Sequence, residues 1–248
     1  PAPQSPAPSA PPASSAPSAP SPSAPASPTD KDTKDTDSDG IPGSIEDQTP
    51  GISGPAGAAP VAGDGNGDGI RDSAQAAVAS TSVVRSPTGA SKPAGAASTH
   101  VTLVVGSQDG KVSPDSGARI TRLEQKDAPA PLPKGMEMPL GLLNLDAALV
   151  AGRSSEKFSL YLDPALGVNG YWLRDSTGTW TNLSSAPYGG KMASEGGQLR
   201  LDFEIHDGGR FDADGRADGS ITAPGAAARM QLSLVGQASD VAHGELWL

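Results

Sequence analysis

Cysteine is absent from the 248-residue chain, which excludes disulfide frameworks, thiolate zinc sites and cysteine nucleophiles. Histidine is scarce, with three in all, so ligand chemistry has to come mainly from oxygen. Aromatic residues make up 4% of the chain and the apolar set 35%, too little to fill one core over the whole length. No long hydrophobic run compensates. The longest, Leu140 to Gly152, is interrupted by Asn144 and Asp146 and falls well short of the roughly 20 residues a bilayer needs, so no membrane span is expected in this chain. Pro1 is preceded by neither an initiator Met nor a basic-then-apolar leader. The expectation is a processed secreted protein or a piece of a longer one.

What is abundant is glycine and proline, 31 and 25 residues, and they are unevenly placed. Residues 1–28 hold 11 Pro, 8 Ala, 8 Ser and one Gln, a composition that cannot bury a core and reads as a disordered Pro/Ala/Ser-rich arm over 1–29. Charge is uneven too. Between Asp30 and Asp72 nine Asp and one Glu face only Lys31, Lys34 and Arg71, so this segment carries −7 of the net −10. The remainder is nearly neutral, which argues against nucleic acid or an anionic lipid surface as partner.

Spacing gives the acidic segment a chemistry. Asp35, Asp37 and Asp39 alternate, Gly40 and Ile41 follow, and Glu46 falls twelfth counting from Asp35, the pattern of an EF-hand calcium loop. A hard cation of calcium's size takes six to eight oxygens. Alternate carboxylates in a coiling loop can point inward together, Gly40 permits the left-handed turn at position six, Ile41 can offer its backbone carbonyl, and Glu46 can close the site. A second copy runs Asp64, Asn66, Asp68, Gly69, Ile70 and Asp72, with Gln75 where the closing glutamate would stand. That copy is the weaker on paper, Asp72 supplying an oxygen directly or through water. Fixing a backbone costs roughly 1–2 kcal/mol per residue and these loops have few apolar side chains, so residues 30–82 are expected to depend on metal for their order. An Ala-rich helix at about 73–79 is the only helix expected beside the loops, which suits calcium stiffening a stalk rather than signalling.

From His100 onward the hydrophobic period becomes two, the mark of half-buried strands. Leu199, Leu201, Phe203 and Ile205 face one way and Arg200, Asp202, Glu204 and His206 the other. Similar alternation runs through Val101, Leu103 and Val105, through Leu143, Leu145, Ala147 and Leu149, through Phe158, Leu160 and Leu162, and through Met230, Leu232 and Leu234, with a last short strand at Leu246 and Leu248. Asn169-Gly170 and Ser176-Thr177-Gly178 read as turns. The fold class expected is therefore mainly β, an antiparallel β-sandwich over 100–248, after a linker at 83–99. Residues 113–130 are less regular, and within them Ser116 to Gln125 reads as one helical turn or a ragged strand. A third acidic cluster, Asp207, Asp212, Asp214 and Asp218, could gather round a cation or simply make Asp-Gly turns.

Two long motifs carry a resemblance to a known family. Val168-Asn-Gly-Tyr-Trp-Leu-Arg-Asp-Ser-Thr-Gly-Thr-Trp180 and Leu199-Arg-Leu-Asp-Phe-Glu-Ile-His-Asp-Gly-Gly-Arg-Phe-Asp-Ala-Asp-Gly-Arg-Ala-Asp-Gly219 resemble the choice-of-anchor U domain of large bacterial surface and secreted proteins. The preceding Asp-x-Asp-x-Asp-Gly-Ile and Gly-Asp-Gly-Asn-Gly-Asp-Gly-Ile segments are similar to thrombospondin type 3 calcium repeats, which often accompany it. The resemblance implies an extracellular, non-enzymatic, calcium-binding module on a bacterial cell surface or in its matrix. Its partners would be the cell envelope or neighbouring surface proteins.

An enzyme is not expected. His206 beside Asp207 lies on the polar face of its strand, and His100 and His243 have no Gly-x-Ser-x-Gly elbow or His-x-x-x-His partner. Three alternatives to a structural or adhesive module remain at this point. Tyr171, Trp172, Trp180 and Trp247 could form a sugar-stacking platform, although one or two of them packing in the core is the commoner arrangement. A dockerin-like protein-binding pair would need apolar helices after each loop. Self-assembly into a homo-oligomeric filament or layer could proceed through an edge strand.

Overall fold

In the computed structural model, residues 34–54, 57–85 and 97–231 are described. The Pro-rich arm, most of the expected 83–99 linker and the alternation at Leu232, Leu234, Leu246 and Leu248 lie outside the described residues. The chain is mainly β with antiparallel sheets. Its strands are β1 (Val78–Val84), β2 (Ser98–Val105), β3 (Ser107–Gln108), β4 (Lys111–Val112), β5 (Arg119–Lys126), β6 (Met136–Glu137), β7 (Leu142–Ala148), β8 (Ser155–Leu162), β9 (Gly170–Arg174), β10 (Trp180–Asn182), β11 (Lys191–Glu195), β12 (Gln198–His206) and β13 (Ser220–Met230). Among the described residues no helix is long and apolar enough to cross a membrane.

Two sheets dominate. One has five strands in the order β1-β2-β8-β12-β11, the other six, β10-β9-β13-β7-β5 with β6 added to β13, and β3 and β4 form a small hairpin. The period-two pattern decides which faces meet. Val101, Leu103 and Val105 of β2, Phe158, Leu160 and Leu162 of β8, and Leu201, Phe203 and Ile205 of β12 share one buried cluster with Leu143, Leu145 and Ala147 of β7 and Ile221 and Ala223 of β13. Between the sheets, Phe203 stacks on Tyr171 of β9 with ring centroids 4.1 Å apart. Gly225 of β13 makes room for that tyrosine, since a Cβ there would lie 2.5 Å from its Oη. Tyr171 is thus a core residue, whereas Trp172 and Trp180 pack outside, with Met136, Met138, Ala226 and Ala228.

Three sequence expectations change and one open alternative is resolved. The 73–79 helix is instead one 3-10 turn, Asp72–Ala74, followed by β1, because Val78, Ala79, Ser80 and Val83 find a pairing partner in β2 and burial, which override the helix preference of alanine. The division between 82 and 83 therefore runs through a strand, and the acidic segment and the sheets fall in one compact unit. Residues 119–126 are the ragged strand of the two readings, with a bulge between Ile120 and Arg122. Asn169-Gly170 makes no hairpin turn: the Asn169 amide exchanges hydrogen bonds with the backbone of Met230 at 2.9 and 3.1 Å.

The outer face of the five-stranded sheet is covered in part, with Lys157 and His206 left exposed. Arg200 of β12 points there, yet it is buried, donating to the carbonyl of Asp109 at 2.6 Å beneath the β3–β4 hairpin and pairing with Glu195 and Asp202. At the other end of the same face Ile52 packs on Val78, Val104 and Tyr161, which seats the acidic segment on the sheet.

Candidate metal centre

The two acidic loops, numbered from Asp35 and Asp64, share one backbone design. Position four is left-handed in both, Ser38 and Gly67 each at φ 67°, and position six likewise, Gly40 at 94° and Gly69 at 92°. In both, the first aspartate ties the coil: Asp35 accepts from the N–H of Ser38 at 2.7 Å and Gly40 at 3.0 Å, Asp64 from Asp68 at 3.1 Å and Gly69 at 2.9 Å. The fifth residue closes onto the seventh N–H, Asp39 with Ile41 at 2.7 Å and Asp68 with Ile70 at 2.8 Å. Glycine at position six is required, since a positive φ there strains any side chain.

The first loop gathers its carboxylates. Ligand oxygens of Asp35, Asp37 and Asp39 all lie within 4.8 Å of one another, and among the described residues no other trio of His, Asp or Glu gathers so. Both oxygens of Asp37 and Oδ2 of Asp39 are buried without a hydrogen-bond partner. Glu46, the twelfth residue, closes the short helix α1 (Gly43–Glu46) and is 1% exposed. It faces Asp39 and accepts the backbone N–H of Ser80 on the edge strand β1 at 3.2 Å. Burial, reinforced by like charge from Asp39, pushes the Glu46 carboxyl up to about 9. Burial likewise lifts Asp39 to about 7, and Asp37 is raised by burial and by Asp35. Unpaired carboxylates crowded out of water favour either a proton or a cation. Ile41 puts its side chain into the main core, anchoring the loop while leaving its carbonyl to the site.

The second loop is built differently inside. Asn66 is fully buried, and its amide accepts the Asp68 N–H at 3.2 Å and donates to Asp68 Oδ2 at 3.1 Å. Lys111 donates to the Asn66 carbonyl. Gln75, at position twelve, donates from Nε2 to both Asp68 Oδ1 and the Ile70 carbonyl, each at 3.2 Å. Its amide thus lies against the ligands expected at positions five and seven. Asp72 at position nine is fully buried. Its Oδ2 takes the Gly65 N–H at 2.9 Å and the Ser80 hydroxyl at 2.5 Å, while Oδ1 has no partner, and burial raises its carboxyl to about 7.

Sequence reading missed Ser80, Thr102 and Lys111. Ser80 touches Glu46 of one loop and Asp72 of the other, and its hydroxyl meets Thr102 at 2.6 Å. Its only sequence signal is the β-prone Ser-Thr-Ser-Val-Val run after the alanines. In the third cluster the carboxylates accept backbone N–H groups. Asp207 accepts the N–H groups of Asp218 and Gly219, Asp212 those of Gly208 and Thr222, Asp214 that of Arg216, and Asp218 bonds Ser220. Each carboxylate there is used in holding a turn. His206, beside this cluster, is exposed, and Trp247 and His243 lie outside the described residues. Comparison with protein-family models, curated proteins and solved structures gave no match.

Proposed function

We propose that this chain is a non-enzymatic, calcium-binding structural or adhesive module of a bacterial extracellular surface or matrix protein. Two calcium loops fasten its acidic segment to an antiparallel β-sandwich of the choice-of-anchor U kind. The observation that carries the reading is the set of buried, partnerless carboxylate oxygens on Asp37, Asp39 and Asp72, placed in two loops of matching backbone geometry. Asp35, Asp37, Asp39, Glu46 and the Ile41 carbonyl would hold the stronger ion. Asp64, Asn66, Asp68, Asp72 and the Ile70 carbonyl would hold the weaker, once the Gln75 amide turns aside.

Calcium in this role supplies structure, not chemistry. A site with a dissociation constant of ~10 μM in millimolar calcium stabilises the loaded form by about 2.7 kcal/mol, comparable to what ordering a few loop residues costs. A sensor or dockerin needs long apolar helices beside its loops. Here helices of only four and three residues stand at the ends of the loops, which supports a fixed brace, and the resemblance to thrombospondin type 3 repeats supports an extracellular setting where calcium is plentiful.

The test is calorimetric titration with calcium of the wild type and of Asp35→Ala, Asp39→Ala and Asp68→Ala. Each variant is expected to take up one ion fewer, the first two losing the tighter event. The same stoichiometry in all four proteins would sink the assignment.

A further inference from the structure

On the outer face of the five-stranded sheet, beside the second loop, lies a cavity of about 240 Å³. Its floor is the sheet: Arg85 after β1, His100 of β2, Tyr161 of β8 and Gln198 of β12. Its roof is the stretch between the loops, chiefly Thr49 and Ile52. Thr49 is 2% exposed and its hydroxyl has no hydrogen-bond partner, and the Nε of Arg85 is likewise buried and unpaired. Buried polar atoms are seldom left so without a ligand or water to meet them.

The lining selects a chemistry. The Arg85 charge is already matched by Asp163, and burial lowers the His100 pKa and favours its neutral form, so an anion finds no unmatched cation and a cation no unmatched carboxylate. What remains are groups that donate and accept together, the Thr49 hydroxyl and the Gln198 amide, with one spare donor on Arg85. Beside them stands an apolar wall of Ile52 and the Tyr161 ring. A ring with hydroxyls on its edge and C–H groups on its face fits both, and the volume, below the usual range for larger ligands, admits one such unit. We infer that this cavity is a binding pocket for a neutral sugar ring, open for use only when the calcium loops are loaded.

The calcium dependence rests on the function proposed above and follows from how the roof is held. Thr49 donates its N–H to the Glu46 carbonyl at 2.8 Å and accepts from Gly63 at 2.8 Å, and Ile52 donates to the Asp64 carbonyl at 3.2 Å. Both ends of the roof therefore hang on loop residues. Releasing the loops releases Thr49.

Amide-detected NMR of the full chain in millimolar calcium, titrated with glucose, galactose, mannose and N-acetylglucosamine, tests this, with acetate and glucuronate as anionic arms. At least one neutral sugar is expected to shift the Thr49, His100 and Gln198 signals saturably and to lose this in EGTA. Thr49→Val and Arg85→Lys should each weaken binding about fivefold or more, with calcium uptake and melting temperature unchanged. No shift from any sugar at about 50 mM, equal binding of the anions, unchanged affinity in Thr49→Val, or sugar binding that survives EGTA would each overturn the proposal. A calcium titration on the same sample separates the two readings. Calcium uptake without sugar binding overturns this pocket alone, and absence of calcium uptake overturns the metal assignment.

Discussion

Gln75 illustrates how one side chain sets the character of a site. An amide at position twelve brings a donor to Asp68 and to the Ile70 carbonyl, where a closing glutamate would bring two more acceptors and a charge. Gln75→Glu is expected to tighten the second site roughly tenfold, affinity in such loops following ligand charge, and a calorimetric titration checks it. No change would mean that position twelve does not face the ion. Asp72 makes a complementary case: one oxygen is fully bonded and the other is left without a partner in the interior, an arrangement that costs stability unless something positive arrives.

At the level of elements, the alternating glycines of Gly63-Asp-Gly-Asn-Gly-Asp-Gly69 serve two purposes. Gly67 and Gly69 take left-handed turns, whereas Gly65 has an ordinary φ and is needed for closeness. A Cβ at Gly65 would collide with Thr102 Oγ1 and lie 3.0 Å from both Asp72 Oδ2 and Ser80 Oγ. Gly65→Ala should therefore lift the loop from β1 and β2 and cost about 1–3 kcal/mol, the range for overpacking, while Gly69→Ala acts through backbone strain instead. Thermal unfolding in calcium reads the first effect; an unshifted melting temperature would show that the loop does not seat on the sheet. The edge strand β1 gains from the first loop as well, since Glu46 takes the Ser80 N–H that would otherwise stand open to another chain.

For the whole molecule, the raised carboxyls make stability depend on pH, in a direction that calcium is expected to reverse if it binds as proposed. Folded-state values near 7 for Asp39 and Asp72 and near 9 for Glu46 exceed the ordinary carboxylate range. Their contribution is complete below that range and is lost as pH rises through about 7 to 9. In EGTA the melting temperature is expected to fall between pH 6 and pH 9, whereas in calcium it holds or rises, because the ion binds the deprotonated groups. Parallel curves in both buffers would refute the coupling. Hydrogen exchange gives the spatial counterpart. Removing calcium should expose amides 34–77 and the Ser80 N–H while β7, β12 and β13 stay protected, since their core around Phe203, Leu145 and Ile221 takes only Ile41 from the two acidic loops. The alternation of apolar residues was enough to mark the inner faces of β2, β7, β8 and β12, and the spacing of Asp35, Asp37, Asp39, Gly40 and Glu46 enough to mark the first loop, because strand pleat and loop coil impose periods that a sequence must carry. Order among strands, the burial of Arg200, the meeting of Glu46 and Asp72 at Ser80, and the roof that Thr49 makes over His100 were decided only by the tertiary structure. Those contacts join residues far apart in the chain, and nothing local distinguishes a serine that bridges two acidic loops from one that faces water.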